Sequence, residues 1–330
     1  KNPSSFFGLP LVAGMAVTHA FVPPTPGPVA VAYFLEVNLG YVIGFGILVG
    51  LPTAIICGPF LCSKMAKFAE VKTPPQLTDD SNSDELKLPS FKLIACLIAL
   101  PIILILAGTI VEQNAIADLD AGLNKSERST AVAEILNSMP MTNQIIHFLG
   151  HPVIALMIST LLAIVSLGIM RGTSKDDLVE ISTKALGPAG IIILITGAGG
   201  VFKGVLIATG IADALKEVFS NSGIHVIVLA YIFATLVRIA QGSATVAMLT
   251  AAGLMVSFVE GMSQPSLALV ACAIAAGATG FSHVNDSGFW MISRYLGMTE
   301  KQTLKTWTVI STAISFVSFT IILILSTFIK

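Results

Sequence analysis

The sequence predicts an all-α polytopic membrane protein, and three observations support that fold class. Hydrophobic residues make up 54% of the 330 residues and charged residues only 11%, with a mean hydropathy of +0.86. Soluble domains carry about 25% charged residues, so lipid is the main solvent here. Apolar stretches of about 20 residues, the length that crosses a bilayer as a helix, recur along the chain. Several of these stretches are interrupted by proline, glycine or polar residues.

The apolar stretches define the predicted membrane spans. The first runs from about residue 9 into a proline-rich break at residues 23–28. The others cover residues 40–61, 91–111, 152–170, 187–213, 224–259, 266–295 and 307–329. Residues 224–259 are too many for one span, and we predict a break near residues 238–243. The span 266–295 is broken at residues 282–288, where polar residues cluster.

The longest polar stretch, residues 63–92, carries five lysines: Lys64, Lys67, Lys72, Lys87 and Lys92. Basic loops favour the cytoplasmic side, so we predict that this stretch is a cytoplasmic linker. The predicted organisation has three parts. They are residues 1–62, the end of a first repeat with an unwound span at 18–28 and the following helix; the polar linker 63–92; and a second half, 93–330, with a hairpin near 238–245 and an unwound span at 282–288.

Several function classes lack their usual signals. The net charge is −1, and no basic cluster suits a nucleic acid. The four cysteines have no metal-site spacing, and we predict neither a metal nor another cofactor. The chain has no G-x-x-x-x-G-K-[ST], H-E-x-x-H or G-x-S-x-G motif, which argues against ATP-driven transport and the common hydrolases. A secondary carrier is favoured; a channel and an intramembrane enzyme with a broken-helix site are the alternatives.

The interruptions are the expected binding site. Irregular backbone survives at membrane depth only inside protein or beside a wet cavity, and carriers use the ends of broken helices to bind ions. The first break contributes Thr18, His19, Pro26 and Gly27 as candidate substrate contacts, because prolines end one helix and Pro28 suits the start of the next. A proline-rich surface loop is the alternative.

The second break contributes Arg238, Gly242, Ser243 and Thr245. A cation inside an apolar region is costly and usually faces a partner or a cavity. Ser243 or Thr245 can cap the helix that follows. The alternatives are an Arg238 side chain that reaches the membrane surface and hydroxyl groups that only join helices.

The third break contributes Ser282, His283, Asn285 and Asp286, the most polar group within any apolar stretch. Asp286 and His283 are the predicted carriers of a coupled proton, because an intramembrane carboxylate or imidazole is typical of proton pathways. A surface loop with Asp286 as a helix cap is the alternative. The pair Thr18-His19 before the first break resembles Ser282-His283, as expected for inverted repeats.

Glycines in the fifth span add a further candidate. Gly199 and Gly200, in the run Gly197–Gly200, can let the backbone approach a substrate closely. A kink or close helix packing is the alternative.

Four segments together resemble the gluconate permease (GntP) family of proton symporters, within the ion-transporter superfamily. They are THAFVPPTPGPVAVA (18–32), TGAGGVFK (196–203), RIAQGSATV (238–246) and FSHVNDSGFW (281–290), and the later Lys305–Thr308 is also similar to the family. The resemblance spans essentially the whole chain. It implies an inverted-repeat carrier with discontinuous helices and re-entrant hairpins, in which residues 238–245 form a hairpin tip beside the unwound span 282–288.

The resemblance also implies a function: import of gluconate or a related small hydroxy-acid anion with H⁺ across the lipid bilayer of a bacterial inner membrane. A homodimer is compatible with it. Two departures, Thr25 where the family pattern has histidine and Ser287 where it has proline, make glycerate and D-serine alternative substrates. Family members are longer at the N-terminus, so we expect that an N-terminal portion with the first half's hairpin is missing. A protein that starts at Lys1 would then lack half the site and would not transport.

Overall fold

The computed structural model of the chain describes residues 3–65, 68, 88–115, 125–209 and 224–329. Within these ranges every regular element is helical, which confirms the predicted all-α class. The helices are α1 (Pro3–Phe21), α2 (Pro26–Phe34), α3 (Leu39–Met65), α4 (Phe91–Ala115), α5 (Lys125–Ser138), α6 (Met141–Gly150), α7 (Pro152–Arg171), α8 (Lys175–Ala208), α9 (Val226–Gln241), α10 (Ala244–Phe258), α11 (Gln264–Thr279), α12 (Ser287–Tyr295) and α13 (Glu300–Ser326).

Four of the described helices, α3, α4, α7 and α13, are long and apolar enough to cross a membrane. The apolar helices α9, α10 and α11 are shorter. Together they give the chain the character of a polytopic membrane protein, as its composition predicts. A short apolar helix can lie at membrane depth only where protein or water satisfies the backbone groups at its ends. The ends of α9, α10 and α11 are therefore places where polar partners are needed.

Local sequence fixes where the helices begin. Pro26 starts α2, a position at which the missing N–H group costs nothing. The side chains of Asn38, Ser243 and Asp286 accept hydrogen bonds from backbone N–H groups in the first turns of α3, α10 and α12. Thr299 and Gln302 form a reciprocal capping box at the start of α13. Short polar side chains thus accept hydrogen bonds from the free backbone N–H groups at the starts of these helices, within an otherwise apolar chain.

The described residues belong to two compact units, one formed by Lys1–Leu86 with Gly190–Lys330 and the other by Lys87–Ala189. In the second unit, α4 packs against α6 and α7. A Cβ atom at Gly108 would lie 2.9 Å from the Gly150 Cα atom, so two glycines let α4 and α6 approach closely. The predicted division into residues 1–62, 63–92 and 93–330 stays a prediction, and most of the linker lies outside the described residues.

Helix α11 is the centre of the first unit, and all of its residues from Ser266 to Thr279 are buried. Its small side chains let neighbouring helices come close. A Cβ atom at Gly277 would lie 2.9 Å from the Ala234 Cβ atom of α9, and one at Gly280 would lie 2.9 Å from the Ser315 hydroxyl of α13. Close packing through small residues is the usual way in which helices associate in lipid. The helices that carry the interruptions are therefore held against one central helix.

Candidate functional site

The hairpin between α9 and α10 turns at Gly242, which has a φ of +80° that favours glycine. The Gly242 N–H group donates to the Arg238 carbonyl at 2.9 Å, which closes α9. A Cβ atom at Gly242 would overlap the Asn285 backbone carbonyl. The Asn285 amide in turn donates to the Ile239 carbonyl at 2.9 Å. The hairpin turn is thus fastened to the segment between α11 and α12, residues 280–286.

The Arg238 side chain points into the protein and is only 3% exposed. Its Nε group donates to the Gly280 carbonyl at 3.2 Å, and its Nη2 group donates to Asp286 Oδ2 at 2.5 Å. The Nη1 group is buried and has no hydrogen-bond partner within the described part of the chain. Arg238 is therefore enclosed by protein, and one side of its guanidinium group retains donors without a partner among the described residues.

The Asp286 side chain is 8% exposed and has two roles in the structure. Its Oδ1 atom accepts from the Gly288 N–H group at 2.8 Å, which caps α12. Its Oδ2 atom accepts from Arg238 and from the Ser282 hydroxyl. The cap expected of a surface loop is therefore present, but the same carboxylate is buried and neutralises the arginine. A buried charge of this kind needs such a partner, because desolvation of an unpaired ion is costly.

Ser282 links this ion pair to α13. It is fully buried, and its hydroxyl accepts from Trp307 Nε1 at 2.7 Å while donating to Asp286. The Thr308 hydroxyl donates to the Ser282 carbonyl at 2.6 Å, and the Ser311 hydroxyl accepts from the Ser282 N–H group at 3.3 Å. These contacts supply the backbone partners that an unwound segment needs at membrane depth.

The sequence interpretation did not assign Trp307, Thr308 or Ser311 to the site. A signal was available. Hydroxyl residues at positions 308, 311, 312 and 315 follow the three- and four-residue spacing of one helix face, at the start of an apolar span. Such a stripe indicates that one face of the helix meets polar groups. The Ser315 hydroxyl accordingly hydrogen-bonds with Tyr231 of α9 at 2.9 Å.

The first break lies against the same helices. Helix α2 packs on α10, and a Cβ atom at Gly27 would lie 2.5 Å from the Met248 sulfur. The His19 ring is close enough to the Asp286 carboxylate for an electrostatic interaction. Thr18 is exposed, and its hydroxyl donates to the Gly14 carbonyl at 2.9 Å, while Pro26 is half-buried at the start of α2. The break is thus a neighbour of the Arg238–Asp286 pair.

Other predicted residues have less specific surroundings. His283 Nδ1 hydrogen-bonds with the Phe281 carbonyl at 2.8 Å, and Thr245 is half-buried in the first turn of α10. Gly199 and Gly200 lie inside the continuous helix α8, and a Cβ atom at Gly200 would meet nothing within 4 Å. Their roles as substrate contacts stay predictions. In the part of the chain that is described, no three His, Cys, Asp or Glu side chains are placed to hold a metal ion.

This geometry suits an anion. Helix N-termini carry partial positive charge, and those of α10 and α12 lie side by side because Gly242 contacts Asn285. The Arg238 guanidinium group contacts Asp286, the cap of α12, and its Nη1 group has no hydrogen-bond partner among the described residues. Guanidinium groups bind carboxylates through two parallel hydrogen bonds. A carboxylate that met Nη1 and Nη2 together would compete with Asp286 for the positive charge of the guanidinium group.

The chain is similar to known permeases over almost its full length. The family described as GntP family permease matches residues 1–328. The low-affinity gluconate transporter of Escherichia coli K12 is 37% identical over 94% of this chain and 65% of its own length. The gluconate permease of Bacillus subtilis 168 is 35% identical over 97% of this chain and 69% of its own length.

A third relative, the Gnt-II system L-idonate transporter of Escherichia coli K12, is 34% identical over 95% of this chain and 66% of its own length. The chain thus spans about two thirds of the length of these curated relatives, and 65% of the Escherichia coli low-affinity transporter. No solved structure matches the chain. The match over residues 1–328 places this polytopic membrane protein, with its interrupted helices, in the GntP permease family.

Proposed function

We propose that the protein carries gluconate or a related small sugar-acid anion, together with H⁺, across a bacterial inner membrane. The observation that supports this most strongly is the buried Arg238, which joins the hairpin turn to the unwound segment and has unused donors. The relatives named gluconate transporter, gluconate permease and L-idonate transporter give the substrate class. Gluconate and L-idonate are polyhydroxy acids. Their carboxylate can bind an arginine, and their hydroxyl groups can form hydrogen bonds with polar backbone and side-chain groups.

The proposed substrate position lies at the N-termini of α10 and α12. Arg238 binds the carboxylate, and Ser243, Thr245 and Asn285 lie within the same two turns to meet hydroxyl groups. Gly242 keeps the hairpin tip close to the unwound segment, so that substrate contacts come from both. Pro26 and Gly27, at the start of α2, and the Thr18–His19 pair complete the proposed site on the side of the first break.

Asp286 is the proposed proton carrier, since its buried carboxylate directly contacts Arg238, the residue proposed to bind the substrate. His283 and His19 are further candidates.

Two positions bear on which sugar acid is carried. Thr25 directly precedes α2, where its hydroxyl donates to the Val22 carbonyl at 2.9 Å. Ser287 is exposed at the first position of α12, beside Asp286. Thr25 stands where the family pattern has histidine, and Ser287 stands where it has proline. Each position is next to a residue that we propose contacts the substrate. Glycerate, threonate and D-serine are therefore the alternative substrates to compare with gluconate and L-idonate.

Counterflow tests the proposal without assuming a driving force. The full-length protein is reconstituted in proteoliposomes loaded with unlabelled gluconate, at equal pH on both sides, and entry of external radiolabelled gluconate is followed. We expect transient accumulation, suppressed by external L-idonate or by whichever competitor is the true substrate. A channel gives no counterflow, and absence of counterflow with any of these acids would contradict the proposed substrate class.

A further inference from the structure

We propose that Arg238 exchanges one carboxylate for another: it releases Asp286 when that side chain is protonated and binds the substrate carboxylate in its place. This inference rests on the proposed function and adds the mechanism of coupling. It implies that one proton crosses with each monoanion and that the loaded and unloaded sites have the same net charge.

The geometry of the guanidinium group supports the exchange. The Nε group is fixed by the Gly280 carbonyl, so the plane of the guanidinium group is held by the unwound segment. The Asp286 carboxylate occupies Nη2 with a single oxygen, and the buried Nη1 group has no hydrogen-bond partner among the residues that the structure describes. A carboxylate that binds both Nη groups satisfies every donor on that side. It also competes with Asp286, since the two carboxylates would share the single positive charge of the guanidinium group.

The charges make protonation a condition of that displacement. Arg238 and Asp286 are 3% and 8% exposed, and together they are neutral. A substrate anion added to this pair would leave one uncompensated negative charge in a site shielded from water, which is strongly unfavourable. A proton taken up from water by the Asp286 carboxylate removes that charge. On the other side of the membrane the proton returns to water, the substrate leaves, and Asp286 pairs again with Arg238.

The neighbours of Asp286 leave it able to exist in both forms. The Oδ1 atom keeps its hydrogen bond from the Gly288 N–H group whether or not Oδ2 is protonated, so the cap of α12 is retained. A protonated Oδ2 can donate to the Ser282 hydroxyl, which has a second acceptor lone pair beside the one that Trp307 uses.

Charged and titratable groups around Asp286 come from several segments. Arg238 of α9 is in contact, His19 of α1 interacts electrostatically, and His283 lies in the same unwound segment. The charged residues of α12 and of the first turns of α13 are Arg294, Glu300, Lys301 and Lys305. In the described part of the chain, the ion pair of Asp286 is the one with Arg238.

The first test uses Asp286→Asn, which has the size of the protonated acid and retains the oxygen that caps α12. The wild type is expected to accumulate gluconate about tenfold for an inward gradient of one pH unit, the ratio for one proton per anion. The variant is expected to lose this gradient-driven accumulation, because the asparagine side chain carries no proton for exchange. Glu300→Gln, which removes an exposed carboxylate at the start of α13, is the matched control and is expected to behave as wild type.

The outcomes separate the inference from the proposed function. If the wild type shows no counterflow of any sugar acid, the proposed function fails. If the wild type shows counterflow, and an Asp286→Asn variant that retains the helical circular dichroism of the wild type still accumulates gluconate in response to the proton gradient, the exchange mechanism is wrong. The pH dependence of gluconate binding in detergent is a second readout: wild-type affinity should fall as pH rises, and the variant's affinity should not change.

Electrical measurements provide an independent check. One proton with one monoanion moves no net charge, so a potassium diffusion potential set with valinomycin should not change gluconate accumulation by the wild type. Movement of one net charge would instead change accumulation about 50-fold per 100 mV. A dependence of that size would overturn the one-for-one exchange, even if gluconate transport itself is confirmed.

Discussion

At the scale of single residues, the buried polar chain from Trp307 through Ser282 and Asp286 to Arg238 defines the candidate site. The sequence predicted three of these four residues, because a cation and a carboxylate inside apolar stretches stand out from their neighbours. It did not predict that Arg238 and Asp286 pair with each other across 48 positions. Partner choice depends on which helices pack together, and nothing local in the sequence encodes that.

Trp307→Phe tests how much the hydrogen bond from Trp307 stabilises the series of buried polar side chains that ends at Arg238. The change keeps a six-membered aromatic ring but removes the pyrrole part of the buried indole, with its N–H donor to Ser282. We expect the free energy of unfolding to fall by more than about 1 kcal/mol, the net value of one buried hydrogen bond, because a cavity is left as well, together with reduced transport. Circular dichroism melting in detergent measures the first effect.

Trp290→Phe is the matched control, since Trp290 donates a similar 2.8 Å hydrogen bond to the Val284 carbonyl but at an exposed position. We expect a smaller loss of stability and normal transport from the control. Equal losses for the two tryptophans would show that Trp307 contributes only ring packing.

At the scale of helices, the sequence predicted the interruptions well where proline or a polar cluster was present. Residues 22–25, 242–243 and 280–286 all separate helices. The glycine run at Gly197–Gly200 lies instead in the uninterrupted helix α8. Glycine permits a break but does not require one, whereas lipid favours a helix that satisfies every backbone group. A break at membrane depth needs a residue that cannot continue the helix, or polar partners for the freed groups.

Gly242→Ala tests the contact between the hairpin and the unwound segment. Two costs are expected: about 1–3 kcal/mol for a non-glycine residue at φ +80°, and a clash of the new Cβ atom with the Asn285 carbonyl. We expect a clear loss of both thermal stability and counterflow.

Gly261→Ala separates those costs, because Gly261 has a φ of +79° and a Cβ atom there would meet nothing within 4 Å. It should show the conformational cost alone and retain counterflow. If both alanine variants lost transport equally, the Gly242–Asn285 contact would have no special role.

Helix α3 offers a second pair of glycines. A Cβ atom at Gly46 would overlap the Phe21 carbonyl at the end of α1, whereas one at Gly44 would meet nothing within 4 Å. Gly46→Ala should therefore displace the first break and lower the melting temperature. Gly44→Ala should leave it unchanged or raise it, since alanine favours a helix by about 0.5–1 kcal/mol. The opposite order of melting temperatures would contradict the packing of α1 on α3.

At the scale of the whole molecule, the composition and the recurring apolar stretches predicted a lipid environment and the all-α fold class. An apolar chain with 11% charged residues cannot satisfy its surface in water, and its breaks mark the places where polar groups must find partners inside the protein. The division into compact units was not predictable in this way. Lys1–Leu86 packs with Gly190–Lys330, and residues far apart along the chain are brought together by helix packing that short-range patterns do not encode.

Accumulation of gluconate shows directly whether the proposed transport of sugar acids is coupled to protons. Radiolabelled gluconate uptake by the full-length protein in proteoliposomes is measured with an inward proton gradient, without one, and with the gradient collapsed by a protonophore. We predict accumulation above the external concentration only with the gradient, and its loss on addition of the protonophore. Uptake that merely equilibrates in all three conditions, or no uptake of any sugar acid, would contradict the account.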